Sequence, residues 1–267
     1  MKEKIEVQLI ELEILTKIDE ICKKYKIEYF LDSGTVLGAV RHGGFIPWDD
    51  DIDIGMTREN YEKFLKIAPK ELGREYFLHN LDTEKECPCL YSKVKKNNTI
   101  YMAWASRNLK INQGIYIDIF PYDISTGMTK KEIKKLYLLQ RLFKYIALPD
   151  RDKLPENTIK WKLGAILYRI IHYTLFFIPK DYIRKIIERK LRKSENENGK
   201  FLLQGVCGKP IIIEKDDIFP LKYIKFENKE FPVPKNTDKY LKLLYGNYME
   251  LPPVEKRKGH GIYKIKY

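Results

Sequence analysis

Cysteine is the first thing this chain has little of. Its four residues, Cys22, Cys87, Cys89 and Cys207, form one C-x-C with no matching second pair, which excludes the spacing of a structural zinc site and leaves no disulfide framework. Buried, reduced thiols are expected, and with them a cytoplasmic location. An uninterrupted apolar run is missing too. The most apolar stretch, WKLGAILYRIIHYTLFFIP at 161–179, is broken by Arg169 and His172 and edged by Lys162 and Lys180, short of the roughly 20 apolar residues of a membrane span. A buried core helix is the first reading of this segment and a helix lying on the inner membrane face the second. The opening MKEKIEVQLIELEIL alternates charged and apolar residues and has neither an h-region nor a cleavage site, so no signal peptide is expected. There is no internal repeat and no low-complexity linker. Acidic residues are outnumbered, 37 against 50 Lys and Arg, for a net charge of +13 and a pI near 9.3. Such a surface attracts a nucleic acid, a phosphorylated small molecule or an acidic membrane face, and equally fits a plain solvated exterior.

What is present is an ordinary globular composition, 44% hydrophobic and 33% charged over 267 residues, enough for one large domain or two small ones. Its densest feature runs from Leu31 to Met56, LDSGTVLGAVRHGGFIPWDDDIDIGM, with five glycines and five aspartates. Ahead of it, Ile5, Leu9, Leu12, Leu15, Ile18, Cys22 and Tyr25 recur at helical spacing, with Lys and Glu outward. Ile27 to Leu31 reads as a buried strand, Val36 to Arg41 as a short helix broken by His42-Gly43-Gly44. Asp51-Ile52-Asp53-Ile54 alternates with period two, which puts the isoleucines on a core face and both carboxylates on the other. Thr57 reads as the cap of a helix ending at Pro69. Strands are expected at 76–81 and 90–104, the latter a hairpin turning at Lys96-Asn97-Asn98. IYIDIF at 115–120 repeats the alternation, presents Asp118 on its polar face and ends at Pro121. Helices follow from Thr129 and through 180–200 up to a polar Ser-Glu-Asn-Glu-Asn-Gly loop, then short strands near 211–213 and 223–226, a helix halted by Gly246 and a tail with Glu255, Lys256, Arg257, Lys258 and His260.

The three carboxylates Asp51, Asp53 and Asp118 have the hard oxygen ligands suited to Mg²⁺ or Mn²⁺, ions that neutralise phosphate charge and orient an in-line displacement. Ser33, Gly34 and Thr35 offer N–H groups and hydroxyls at a helix start where a phosphate would bind, and equally the parts of a capped turn. Arg41, His42, Lys93 and Lys95 are the nearest cations for a diphosphate. Asp49 and Asp50 either extend the metal shell or fix the loop by hydrogen bonds, the second being preferred.

The run from Leu31 to Met56 closely resembles the signature of the LicD family of phosphotransferases, the phosphorylcholine transferases related to fukutin. YIDIFP at 116–121 and the pattern Pro234, Tyr240-Leu241, Tyr245-Gly246 resemble it as well, while 126–200 matches nothing in it. The resemblance implies an α+β, nucleotidyltransferase-like fold, a mixed sheet flanked by helices with a helical insertion. It implies a catalytic core at 1–124, a helical region at 125–200 and C-terminal strands and a helix at 201–267 packing back on the core. It implies Mg²⁺-dependent transfer of a phosphorylated alcohol, most typically phosphocholine from CDP-choline, to a sugar hydroxyl of a cell-surface glycan or lipid-linked glycan, such as lipopolysaccharide or teichoic acid. In that scheme Asp51 and Asp53 bind metal, Asp118 completes the site or takes the hydroxyl proton, and Gly34 with its neighbours approaches the donor diphosphate. A quaternary ammonium wants an aromatic cage, for which Trp48, Tyr101 and Trp104 are the candidates nearest in sequence.

Two other readings stay open. A nucleotidyltransferase moving a nucleoside monophosphate to a small molecule or RNA would use the same carboxylates, and a non-catalytic protein binding membrane or nucleic acid would use the charge. Nucleic acid is not expected as the partner of the transferase. A D-x-D glycosyltransferase is disfavoured, because too little chain precedes Asp51 to build a nucleotide-binding βαβ array.

Overall fold

The computed structural model describes residues 2–151, 155–193, 198–257, 259 and 262–267. Residues 194–197 of the polar loop, and Lys258 and His260 of the tail, lie outside the described residues. Helix occupies 44% of the chain and strand 21%, which makes the fold α+β.

The chain opens with helix α1 (Lys2–Tyr25), strand β1 (Phe30–Leu31), helix α2 (Ser33–His42), strand β2 (Asp53–Thr57) and helix α3 (Arg58–Glu71). Strands β3 (Tyr76–His79), β4 (Ser92–Lys96), β5 (Ile100–Ala103) and β6 (Tyr116–Ser125) follow, then helices α4 (Lys130–Ala147), α5 (Ile159–Leu175) and α6 (Lys180–Lys193). The rest is β7 (Phe201–Gln204), β8 (Ile211–Glu214), the short α7 (Lys215–Ile218), β9 (Lys222–Phe226), β10 (Lys229–Val233), α8 (Thr237–Tyr245) and β11 (Ile262–Lys266).

The ten-residue strand β6 is the axis of a mixed sheet ordered β1-β2-β6-β4-β3. It runs parallel to β2 and antiparallel to β4, and its C-terminal end pairs with β7, which in turn pairs with β8. Alternation decides the two faces. Ile54, Met56, Val94, Ile117 and Ile119 are fully buried on the face covered by α1 and α3. Asp53, Lys93, Tyr116 and Asp118 belong to the opposite face. Where β2 meets α3, Arg58 donates two 2.8 Å hydrogen bonds to the buried carboxylate of Asp123 on β6. Thr57 caps α3, and Thr129 with Glu132 forms a capping box on α4.

Several sequence expectations change. Pro121 lies inside β6, because its missing N–H falls on the side where pairing passes from β4, ending at Ile119, to β7, beginning at Asp123. β4 and β5 do not form a hairpin. The turn at Asn98 adopts a positive φ of 62°, but β5 leaves the sheet and pairs with β11. β2 begins at Asp53, so Asp51 sits in the preceding loop. α3 continues past Pro69 to Glu71. Helix α1 buries Val7, Glu11, Ile14, Leu15 and Ile18 and exposes Ile5 and Leu9, a rotation from the expected stripe that brings a glutamate inside. Cys22 and Cys87 are buried, but Cys207 is exposed; all four thiols are free. The largest correction is α5, which is not a core helix. Ala165 is its one buried residue, Ile171 and Leu175 are half-buried, and Ile159, Leu163, Ile166, Leu167 and Ile170 face outward. No helix among the described residues is long and apolar enough to cross a membrane.

Asp123→Ala removes one partner of the buried Arg58 pair and is expected to destabilise the protein by about 3–5 kcal/mol in urea unfolding, because it leaves an uncompensated buried charge. A loss below about 1 kcal/mol would show the pair behaving like a surface ion pair.

Candidate active site

In the sheet register Asp53 lies opposite Asp118, and Asp118 opposite Lys93. One strand further, Lys93 lies opposite His79, and just past β1 the Asp32 N–H bonds to the Asp53 carbonyl at 2.9 Å. Residues in register on neighbouring strands share a face, so Asp32, Asp53, Asp118, Lys93 and His79 form one transverse row. Burial, then the charges of Asp51 and Asp118, push the Asp53 carboxyl well above the usual carboxylate range. Lys93 Nζ lies 2.6 Å from Asp118 Oδ1. Burial works against the ammonium, yet Asp118 with Tyr116 and Cys89 holds its pKa well above the ordinary lysine value. The buried Oδ1 of Asp118 nevertheless has no aligned hydrogen-bond donor among the described residues.

The start of α2 is locked onto this row. Asp32 is fully buried and receives hydrogen bonds from the hydroxyls of Tyr122, at 2.9 Å, Ser33, at 3.1 Å, and Tyr240. The Tyr240 oxygen also accepts the Ser33 N–H at 3.1 Å, which holds Ser33 at a φ of 45°. Thr35 Oγ1 accepts the Asp53 N–H at 2.8 Å. The Thr35 and Val36 N–H groups go to the Asp32 carbonyl. Gly34 is therefore the first-turn residue whose N–H meets no partner among the described residues. A side chain there would come within 3.2 Å of an Asp49 carboxylate oxygen, so glycine permits the acidic loop to close on the helix.

Of the residues singled out in the sequence, Asp53, Asp118 and Lys93 are brought together, with Ser33, Gly34 and Thr35 directly behind Asp53 and Asp51 two residues ahead of it. Arg41 and His42 are not. They occupy the far end of α2, roughly 12 Å along the helix at its rise per residue, where Arg41 donates to the Tyr248 carbonyl at 2.7 Å. Asp49 and Asp50 are tied by backbone bonds, their carbonyls accepting from Gln8 and Tyr101. The aromatic candidates are dispersed. Trp48 lies between the guanidiniums of Arg41 and Arg257, Trp104 carries Arg107 at 3.6 Å, and of the three only Tyr101 borders the cavity described next.

That cavity, of about 390 Å³, opens beside Lys93. Tyr91, Lys93, Lys95, Tyr101 and Tyr116 form its sheet side, and Tyr137, Gln140 and Phe143 of α4 the other. Lys93 sits 3.5 Å over the Tyr116 ring. Burial and the neighbouring Lys93 push Lys95 down to about 8. The helical middle of the chain thus walls the space next to the acidic row.

A family profile described as LicD/FKTN/FKRP, nucleotidyltransferase domain, matches residues 26–161. The chain is 30% identical over 268 aligned residues to a lipopolysaccharide cholinephosphotransferase LicD of Haemophilus influenzae, covering 96% of this chain and 95% of the relative. The chain belongs to the LicD family. It is also 44% identical to an uncharacterized protein of Rickettsia typhi over 62% of this chain and 51% of the other. To a mouse ribitol 5-phosphate transferase FKRP it is 26% identical over 40% of this chain and 19% of the relative.

The LicD signature accounts for the row and the start of α2, but two parts of the site lie outside residues 26–161. Tyr240 on α8 fixes Asp32, and Tyr245 stands near enough to Asp53, Asp32, Asp49 and Asp51 that, after burial, their charges raise its pKa. Glu11 on α1 is 1% exposed, its Oε2 has no hydrogen-bond partner among the described residues, and burial followed by Asp51, Asp50, Asp49 and Asp118 raises its pKa well above the ordinary 4.5. The signal for Glu11 was available, since it shares the helical phase of Val7, Ile14 and Ile18. No group of three or more His, Cys, Asp or Glu positioned to hold a metal ion is found among the described residues.

Because the folded protein holds the Glu11 proton to higher pH than the unfolded chain, Glu11 lowers stability as pH rises above its ordinary value. In metal-free protein Glu11→Gln is expected to melt about 2–4 °C above wild type at slightly alkaline pH, the gap closing as pH falls toward 4.5. A variant that melts below wild type across that range would contradict the arrangement.

Proposed function

We propose that this LicD-family protein transfers phosphocholine from CDP-choline to a sugar hydroxyl of a lipopolysaccharide-type or other cell-surface glycan precursor, releasing CMP. The observation that carries the reading is the register of Asp53 with Asp118 beside the α2 N-terminus, a carboxylate pair with an adjoining phosphate-facing turn. The likeness to a lipopolysaccharide cholinephosphotransferase over 96% of this chain and 95% of the relative supports the phosphocholine and glycan parts of the reading.

The residues fit a divalent cation. Asp118 Oδ1 is buried without an aligned donor among the described residues, and Asp53 is pushed toward protonation by burial and then by the carboxylates beside it. Mg²⁺ is commonly bound through one or two carboxylates, substrate phosphates and water. Asp53 and Asp118 would hold it, with Asp51 at the edge. Bound there, it would neutralise the donor diphosphate and polarise the transferred phosphoryl group.

The chain's own groups do the rest. The Gly34 N–H and the positive end of α2 receive a diphosphate oxygen. The acceptor oxygen bonds to the phosphorus carrying choline as the bond from that phosphorus to the CMP oxygen breaks, and the hydroxyl proton passes to a carboxylate of the row. Lys93 balances charge at Asp118. Tyr91 and Tyr101 offer aromatic surface to a quaternary ammonium, Tyr116 being engaged by Lys93, and the α4 wall closes the space around it. A cytoplasmic location, with peripheral contact at the inner membrane face, belongs to the same reading.

A donor screen with Mg²⁺ tests it. CDP-choline is expected to yield CMP in preference to CDP-ethanolamine, CDP-glycerol and CDP-ribitol, and nucleoside triphosphates are expected to give no pyrophosphate. Asp53→Asn is expected to lose at least about 10²-fold in rate. Pyrophosphate release would favour the nucleotidyltransferase reading. Undiminished activity in EDTA or in Asp53→Asn would sink the mechanism.

A further inference from the structure

Helix α5 rests on α4 by one side. The Tyr168 hydroxyl and His172 Nδ1 reach the carbonyls of Lys144 and Tyr145, and Ala165 is buried. The other side carries Ile159, Leu163, Ile166, Ile170, Tyr173 and, just past the helix end, Phe177. Successive members are four, three, four, three and four residues apart, the spacing that lines one face of a helix. Each of the six is between 54% and 79% exposed. Single exposed apolar residues are ordinary, but a continuous stripe along a whole helix marks an interaction surface.

The border of the stripe indicates what covers it. By helical geometry Lys160 lies along one edge and Lys162 along the other, beside Arg169, whose guanidinium is already paired with Asp150, and α5 itself contains no Asp or Glu. Another copy of α5 would bring the same positive border with no carboxylate to meet it. Acyl chains beneath anionic headgroups match both the apolar stripe and the lysines, and the net charge of +13 adds long-range attraction. No helix among the described residues is long and apolar enough to cross a bilayer, and the one-sided stripe of α5 suits a helix lying along the interface.

We propose that α5 is a membrane-docking helix, seated in the interface of an anionic bilayer through its Ile159–Phe177 face. The inference does not depend on the donor chemistry. It adds to the transferase reading a reason for the helical middle of the chain: α4, on which α5 rests, walls the cavity beside the acidic row, so docking holds that cavity close to a lipid-borne acceptor.

The test is co-sedimentation of the full chain with phosphatidylcholine–phosphatidylglycerol vesicles and with phosphatidylcholine alone. Wild type is expected to sediment with the anionic vesicles, and the double variant Ile166→Glu/Ile170→Glu to lose at least about 10-fold in partitioning. Leu243→Glu, which changes an exposed leucine on α8, is expected to bind as wild type does. CMP release with a water-soluble acceptor is expected to be unchanged in the double variant, which separates failure of docking from failure of the transferase reading. Equal sedimentation of the double variant, or wild type remaining in the supernatant, overturns the proposal. So does light scattering that shows a wild-type dimer converted to monomer by the same double substitution without vesicle binding.

Discussion

Two carboxylates held side by side on neighbouring parallel strands are the constraint around which this molecule is arranged. Asp53 and Asp118 share a register, and burial followed by the charges of Asp51 and Asp118 pushes the Asp53 carboxyl well above the usual carboxylate range. Lys93, next in the row, supplies part of the compensation through Asp118, and its own charge is sustained there against burial. The face carrying the row is otherwise aromatic, with Tyr91 packed on Phe120 and Tyr101 edge-on to Tyr116. Low polarity around the row strengthens every interaction a bound phosphate would make there.

Distant parts of the chain hold the row in place. Asp32 cannot leave the start of α2 while Tyr122 of β6 and Tyr240 of α8 both donate to it, so helix α8, more than two hundred residues away in sequence, fixes the turn beside the row. Thr35 ties the same turn to the Asp53 backbone. On the other side of the acidic loop, α1 contributes the Gln8 bond to the Asp49 carbonyl and the buried Glu11. The insertion between β6 and β7 adds the cavity wall and an outward apolar helix. The face carrying the row and the outer surface are thereby linked through α4, and through Asp150, which pairs with both Arg169 of α5 and Arg107.

Legibility in the sequence followed how local the cause was. The period-two alternations around Asp53 and Asp118 were readable because one buried face dictates the pattern, and the capped helices at Thr57 and Thr129 because a cap is a local signal. Pairing was less so. Nothing local shows that Pro121 falls at the junction of β4 and β7, or that β5 pairs with β11 rather than β4. Arg41 and His42 are near Asp51 in sequence, but the length of α2 carries them away from the row. Glu11 was overlooked because α1 is rotated from its most apolar stripe. α5 was misread because composition reports how apolar a helix is and not what covers it; an aliphatic face turned to a bilayer and one turned to a core are written with the same residues.

The central claim is that the Asp53–Asp118 pair holds the cation around which phosphoryl transfer takes place. Anomalous diffraction from crystals soaked with Mn²⁺ and CDP-choline tests it most directly. The expected result is a manganese peak about 2.0–2.2 Å from carboxylate oxygens of both residues, the distance of a hard divalent ligand bond, with the donor diphosphate against Gly34. A peak bound elsewhere, or a diphosphate seated away from α2 with no metal at the pair, would contradict it.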